Sequence, residues 1–254
     1  MSAVSHVGIV GGGEVYEDGS DLVTSTVALV AIAEDGSLQS FCTGILVSKD
    51  LVVTAGHCLQ VFDGGGHVQV AFGRVLPLDS SDSRLRSIDR YYTYEMTQPR
   101  VGDSNAVAVE NDIAVLKLSS EAPYWARPAA ILANASAVQA GDHVILAGFG
   151  QTSETSKTSR ALHATELQIK SLSEKALVFD QSVGTGACYG DSGGPVYIRT
   201  SQRLIAVAAT RGIGNGGHRD CRHEAIYTLL PSYQDFIKQI AALIGGEQPE
   251  FINL

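Results

Sequence analysis

The stretch Gly190-Asp-Ser-Gly-Gly-Pro195 sets a serine among glycines. A serine hydroxyl becomes a nucleophile only beside a base, and the oxyanion formed on an attacked carbonyl needs N–H donors aimed at it. Glycines near the serine let the main chain bend so that several N–H groups converge on one point. The chemistry suggested is acyl transfer through Ser192; a glycine-rich turn carrying an incidental serine is the plain alternative. The chain has seven histidines, so a histidine by itself carries little. His57 differs in its setting, Leu51-Val-Val-Thr-Ala-Gly-His-Cys58, a strand-like run entering a turn of small residues. An acid must then hold the imidazole in the right tautomer and stabilise its charged form. Asp112, in Asn111-Asp-Ile-Ala-Val-Leu-Lys-Leu118, opens an apolar run; by its neighbours alone it reads as a turn residue.

The elements that position these residues read as short strands. Val27–Ala33 is followed by the turn signal Glu34-Asp-Gly-Ser37. Gly44–Ser48 and Leu51–Thr54 flank a turn at Lys49-Asp50, and Val68–Phe72 alternates. Ile113–Leu118, His143–Ala147 and Leu204–Ala208 read as buried strands. Many short strands with frequent turn signals indicate an all-β sandwich or barrel. One helix is expected at the end. Ser232 is its candidate cap, Phe236, Ile237, Ile240, Leu243 and Ile244 are its apolar face, and Gly245-Gly246 is its stop. Residues 79–110 and 151–160 read as long exposed loops.

Composition narrows the function classes. The chain has 254 residues, 44% hydrophobic and 18% charged, a globular balance. No apolar run approaches the ~20 residues that cross a bilayer, so no membrane partner is expected. A formal charge of −9 argues against nucleic acid, whose binding rests on Lys and Arg neutralising phosphates. Four cysteines, Cys42, Cys58, Cys188 and Cys221, with no Cys-x-x-Cys pair, suit two disulfides in an oxidising compartment. Their number leaves three pairings open. The first residues show no basic start and no apolar run of signal length; the expectation is a secreted or periplasmic protein whose signal has been removed.

Taken together, these segments resemble the trypsin/chymotrypsin family from Ile9 to the terminal helix. Thr54-Ala-Gly-His-Cys58 is similar to its histidine motif, with Gly56 where Ala is usual. Asn111-Asp-Ile-Ala114 is similar to its aspartate motif and Gly190-Asp-Ser-Gly-Gly-Pro195 to its serine motif. Leu146-Ala-Gly-Phe-Gly-Gln-Thr152 resembles its Trp-Gly segment, with Phe149 in place of Trp. The resemblance implies an all-β fold of two six-stranded antiparallel β-barrels with the active site between them and a C-terminal helix. The subdomains would span roughly 9–125 and 126–231, with the helix over 232–245. It implies Ser192 as nucleophile, His57 as base and then acid, Asp112 as orienter, and the N–H groups of Gly190 and Ser192 as oxyanion hole. It also implies disulfides Cys42–Cys58 and Cys188–Cys221. No metal and no other cofactor is expected. A metal site at Cys188 and Cys221, flanked by His218 and His223, is the alternative, but it needs reduced thiols.

Two further expectations follow from the resemblance. Ile9-Val-Gly-Gly12 is similar to the family's mature N-terminus, so an activating protease would cut before Ile9, and the freed ammonium would pair with Asp191. Residues 1–8 would then be a pro-segment remnant or an appended stretch. The residue six positions before Ser192 is Gly186, not Asp, so cleavage after Lys or Arg is not expected. The pocket walls would be Gly186, Ala187, Ala209, Thr210, Arg211 and Ala225. Arg211 and Ala225 either narrow the pocket for small aliphatic side chains, the reading preferred here, or Arg211 joins His218, Arg219, Arg222 and His223 in a basic wall for an acidic one. The partner expected is a protein or peptide substrate.

The same residues bear on other classes. A binding protein on this scaffold with a silent site stays open, favoured by the departures at Ala209 and Arg211. An esterase of the Gly-x-Ser-x-Gly type would carry its acid after the serine on an α/β pattern. The glycine triplets at 11–13 and 64–66 lack the Lys-Ser/Thr ending of a phosphate loop and read as turns.

Overall fold

The computed structural model describes residues 9–59, 67–97, 111–153, 155–213 and 221–254. The expectations for residues 1–8, the triplet at 64–66, His218 and Arg219 lie outside the described residues. A two-residue strand β1 (Gly13–Glu14) and a short helix α1 (Asp21–Ser25) lead into β2 (Thr26–Ile32), β3 (Leu38–Leu46), β4 (Leu51–Thr54), β5 (Val68–Ala71), β6 (Leu85–Thr93) and β7 (Ala114–Leu118). These last six close into an antiparallel barrel in the order β2-β3-β4-β7-β6-β5. Its strands are apolar on both faces because both are covered. Val27 and Leu29 join one buried cluster with Val52, Leu116 and Phe72. Ala28 and Val30 join another with Val53, Val115 and residues of the second half. This is why the runs read as continuous rather than alternating. Fully burying each such side chain contributes about 1.5–3 kcal/mol.

The second half comprises β8 (Ala130–Leu132), β9 (His143–Gly148), β10 (His163–Gln168), β11 (Ser171–Leu172), β12 (Ala176–Asp180), β13 (Pro195–Arg199), β14 (Leu204–Ile213), β15 (Glu224–Leu229) and β16 (Phe251–Ile252). Its sheet runs β1-β10-β9-β13-β14-β15-β12-β11, with β8 branching from β14 and β16 pairing with β8. The expected second closed barrel is corrected in one respect: among the described residues, no ladder closes this sheet. Its ends meet through the chain instead, because only Ile169 and Lys170 separate β10 from β11. β1 pairs with β10, so the first strand of the chain belongs to the second sheet.

Two other local readings are corrected. Residues 85–93, inside an expected loop, are the nine-residue strand β6, whose charged Asp89 and Arg90 face solvent. The terminal helix α2 is Gln234–Leu243, preceded by a 3-10 turn Leu230–Tyr233. Ser232 lies in that turn and donates its hydroxyl to the carbonyl of Glu174 rather than capping the helix. Phe236, Ile237, Ile240 and Ile244 are buried as expected, whereas Leu243 is exposed. The buried face packs in one cluster with Leu51, Val53, Ile113 and Val115. The end of the chain thus braces the strands on either side of the site. Gly245, at φ +65°, ends the helix in the left-handed conformation that glycine tolerates.

Candidate active site

β4 and β7 are antiparallel neighbours in the register Thr54↔Ala114. The exit of β4 therefore lies beside the entry of β7. His57, three residues past Thr54, comes to rest on Asp112, two residues before Ala114. The Asp112 carboxylate accepts from His57 twice: Oδ1 from the backbone N–H at 2.8 Å, and Oδ2 from Nδ1 at 2.7 Å. Asp112 is buried, and its own carbonyl accepts the hydroxyl of Thr228 at 3.0 Å. With Nδ1–H committed to the carboxylate, Nε2 is left as the basic nitrogen. No hydroxyl donates to the Asp112 carboxylate among the described residues. Ala209 is a core residue, and Thr210 donates its hydroxyl to the Gly194 carbonyl at 3.1 Å.

Ser192 arrives from the second sheet, three residues before β13. Its carbonyl accepts the N–H of Thr43 on β3 at 2.8 Å, which ties the serine loop to the first barrel. Thr43 Oγ1 donates to the Gly190 carbonyl at 2.9 Å and accepts the N–H of Phe149 at 3.1 Å. Within the loop, the N–H groups of Asp191, Gly193 and Gly194 donate to Cys188, Thr210 and Asp191 carbonyls at 3.1, 2.7 and 2.8 Å. Those of Gly190 and Ser192 donate to no acceptor among the described residues. Gly190 has φ +95°, and a Cβ there would stand 2.6 Å from Thr158 Cγ2. The loop conformation therefore requires glycine at this position. Two N–H groups without an acceptor among the described residues, set among three that are paired off, are what an anion-binding turn presents.

His57 and Ser192 line one cleft of about 400 Å³ with Ala187, Cys188, Tyr189, Thr210, Arg211, Gly212 and Ala225. Of the expected pocket residues, Ala187, Thr210, Arg211 and Ala225 are there; Gly186 and Ala209 are not among its lining residues. Arg211 sits in a β-bulge of β14 between Thr210 and Gly212. It makes no ion pair among the described residues. Cys42 is bonded to Cys58 beside His57, and Cys188 to Cys221 beside the cleft. The sulfurs near His57 are thus engaged with one another and are not free ligands.

Asp191 is buried and accepts the N–H of Gly150 on Oδ1 at 2.8 Å and that of Cys188 on Oδ2 at 2.9 Å. Burial pushes its pKa up to about 7 against those two donors. No cation pairs with it among the described residues. Ile9 is buried in the core of the second sheet, and the carbonyl of Val10 accepts the N–H of Gly186 at 2.9 Å.

The sequence model of the family described as Trypsin matches residues 9–237. The chain belongs to the trypsin family. It is 28% identical over 225 residues to putative trypsin-6 of Homo sapiens, covering 80% of each chain. It is 28% identical over 203 residues to brachyurin of Leptuca pugilator, covering 74% of this chain and 84% of that one. It is 25% identical over 213 residues to cathepsin G of Mus musculus, covering 79% and 74%. As a trypsin-type serine endopeptidase it acts on protein or peptide substrates. No helix among the described residues is long and apolar enough to cross a membrane.

Sequence reasoning missed Thr43, Tyr189 and Thr228. Thr43 and Thr228 position the site through single hydroxyls donated across the fold, a relation that no local pattern announces.

Proposed function

We propose that Ser192 Oγ attacks the carbonyl carbon of the scissile peptide bond while His57 Nε2 takes its proton and Asp112 holds the imidazole. The oxyanion of the tetrahedral intermediate accepts from the N–H groups of Gly190 and Ser192. His57 then gives the proton to the leaving amine, the C–N bond breaks, and Ser192 is left as an ester. Water, deprotonated by the same imidazole, hydrolyses that ester and restores the serine. The observation that carries this reading is the pair of N–H groups at Gly190 and Ser192 that meet no acceptor among the described residues, in one cleft with a histidine held twice by Asp112.

For specificity, a small aliphatic residue before the scissile bond suits a cleft walled by Ala187, Ala225 and the Arg211 bulge. A second reading, an acidic residue there, is favoured by the absence of an ion pair at Arg211 among the described residues. Activation by an activating protease that cuts before Ile9 suits a buried Asp191 with no cation paired to it among the described residues and an Ile9 already seated in the core. The two disulfides suit an extracytoplasmic site of action, secreted or periplasmic. The test is cleavage of a peptide library by the Ile9 form and by Ser192→Ala. Cleavage after Ala or Val, lost in the variant, is expected. Cleavage after Asp or Glu would transfer the assignment to the basic-wall reading, and cleavage mainly after Lys or Arg would overturn both.

A further inference from the structure

Gln181 follows the last residue of β12 and is completely buried, although a glutamine ordinarily lies at the surface. Its carboxamide is fully used. Oε1 accepts the N–H of Ala187 at 2.8 Å and the hydroxyl of Tyr227 at 3.3 Å. Nε2 donates to the carbonyls of Ala187 at 3.0 Å and Cys221 at 3.1 Å. An amide has two N–H donors and one oxygen with two lone pairs, so no capacity remains.

Ala187 lines the cleft directly, and Tyr227 lies two residues beyond another lining residue, Ala225. Gly186, next to Ala187, has φ +152° and no side chain. A Cβ built there would run into Cγ, Cδ and Oε1 of Gln181. The carboxamide thus occupies the volume into which a side chain at 186 would project. We propose that Gln181 is a specificity-determining positioning residue: it is not itself among the residues lining the cleft, but it packs behind Gly186 and Ala187 and so fixes the floor, and with it the depth, of the pocket for the residue before the scissile bond. This rests on the proposed catalysis by Ser192.

The physical consequence is a pocket closed at its end by a satisfied group. A cationic side chain finds no carboxylate among the described residues that line the cleft. An anionic one finds no spare donor, because each N–H of Gln181 is already given to a carbonyl. A longer apolar side chain must displace a carboxamide with four hydrogen bonds, and leaving buried donors unpaired costs more than an unfilled pocket does. The floor therefore admits short neutral side chains and selects against the rest.

The experiment compares the wild-type Ile9 form with Gln181→Ala and Gln181→Ser. All three are first labelled with a fluorophosphonate, which reports Ser192 without regard to the pocket. kcat/KM is then measured on peptide substrates differing only in the residue before the scissile bond: Ala, Val, Met and Phe. The Met-to-Ala and Phe-to-Ala ratios should rise at least 10-fold in both variants, the range a methylene or two in a pocket commands. Unchanged ratios in variants that label normally overturn the floor. Failure of the wild type to label overturns the proposed catalysis instead. Should neither variant fold, peptidyl boronates of rising side-chain length on the wild type decide. Affinity falling at least 10-fold from Val to Phe supports the floor, and flat or rising affinity refutes it.

Discussion

His57 and Asp112 touch twice, backbone N–H on Oδ1 and ring Nδ1 on Oδ2, so the carboxylate fixes the position of the histidine as well as its tautomer. Asp112→Asn keeps the size of the side chain and can still accept from one of these groups. Its NH₂ cannot accept from Nδ1–H, so it favours the tautomer that puts the proton on Nε2. The expected loss is about 10⁴ in kcat at neutral pH, the scale general to Ser-His-Asp triads. Folding should be largely retained, as read from the denaturant midpoint. Activity within 10-fold of wild type would remove Asp112 from the mechanism.

Thr43 joins the two halves at the serine loop through Gly190 and Phe149. Thr43→Val keeps the shape but leaves a buried carbonyl and a buried N–H without this partner. The expected cost is about 1–3 kcal/mol of stability. A fall in kcat larger than any change in KM should accompany it, because the Gly190 N–H is aimed by the same peptide segment. A kcat equal to wild type would show that Thr43 supports the fold alone.

Asp191 links stability to pH. Its folded pKa, about 7, lies above the ordinary aspartate value of 3.8. Stability from the protonated form is therefore complete below about pH 4 and is lost as pH rises through about 7, by roughly 4 kcal/mol in all. A chain continuous from Met1 should weaken over this window. A chain beginning at Ile9 should weaken less, because its ammonium supplies the missing cation. Urea midpoints of both forms at pH 4.5, 6 and 8 check this. Parallel curves would exclude the Ile9–Asp191 pairing.

Arg211 separates the two specificity readings. Arg211→Gly should raise kcat/KM for Leu and Phe relative to Ala by about 10-fold or more, by widening the cleft wall. It should leave cleavage after Asp and Glu negligible in both proteins. A wild type that cleaves after Asp or Glu, and loses this in the variant, would establish the basic wall.

The residues proposed for the chemistry were readable where a short segment carries its own reason. Ser192 sits among glycines that its loop requires, and His57 follows a strand into a turn. Asp112 was legible only through the resemblance, since its role depends on the pairing of β4 with β7. β6 was hidden because its outward residues, including Asp89 and Arg90, give it the composition of a loop. Ser232 looked like a helix cap, but a carbonyl from residue 174 took its hydroxyl. Gln181 was invisible for the same reason: its partners Ala187, Cys221 and Tyr227 come from three separate segments.

The central claim is an activated Ser192. Intact-mass analysis after treatment with a fluorophosphonate tests it most directly, on chains beginning at Met1 and at Ile9, with Ser192→Ala as control. One added probe on the Ile9 form, slower addition on the Met1 form and none on the control is the predicted result. No addition to either wild-type form would contradict the account and leave a protein that binds on a protease scaffold without cutting.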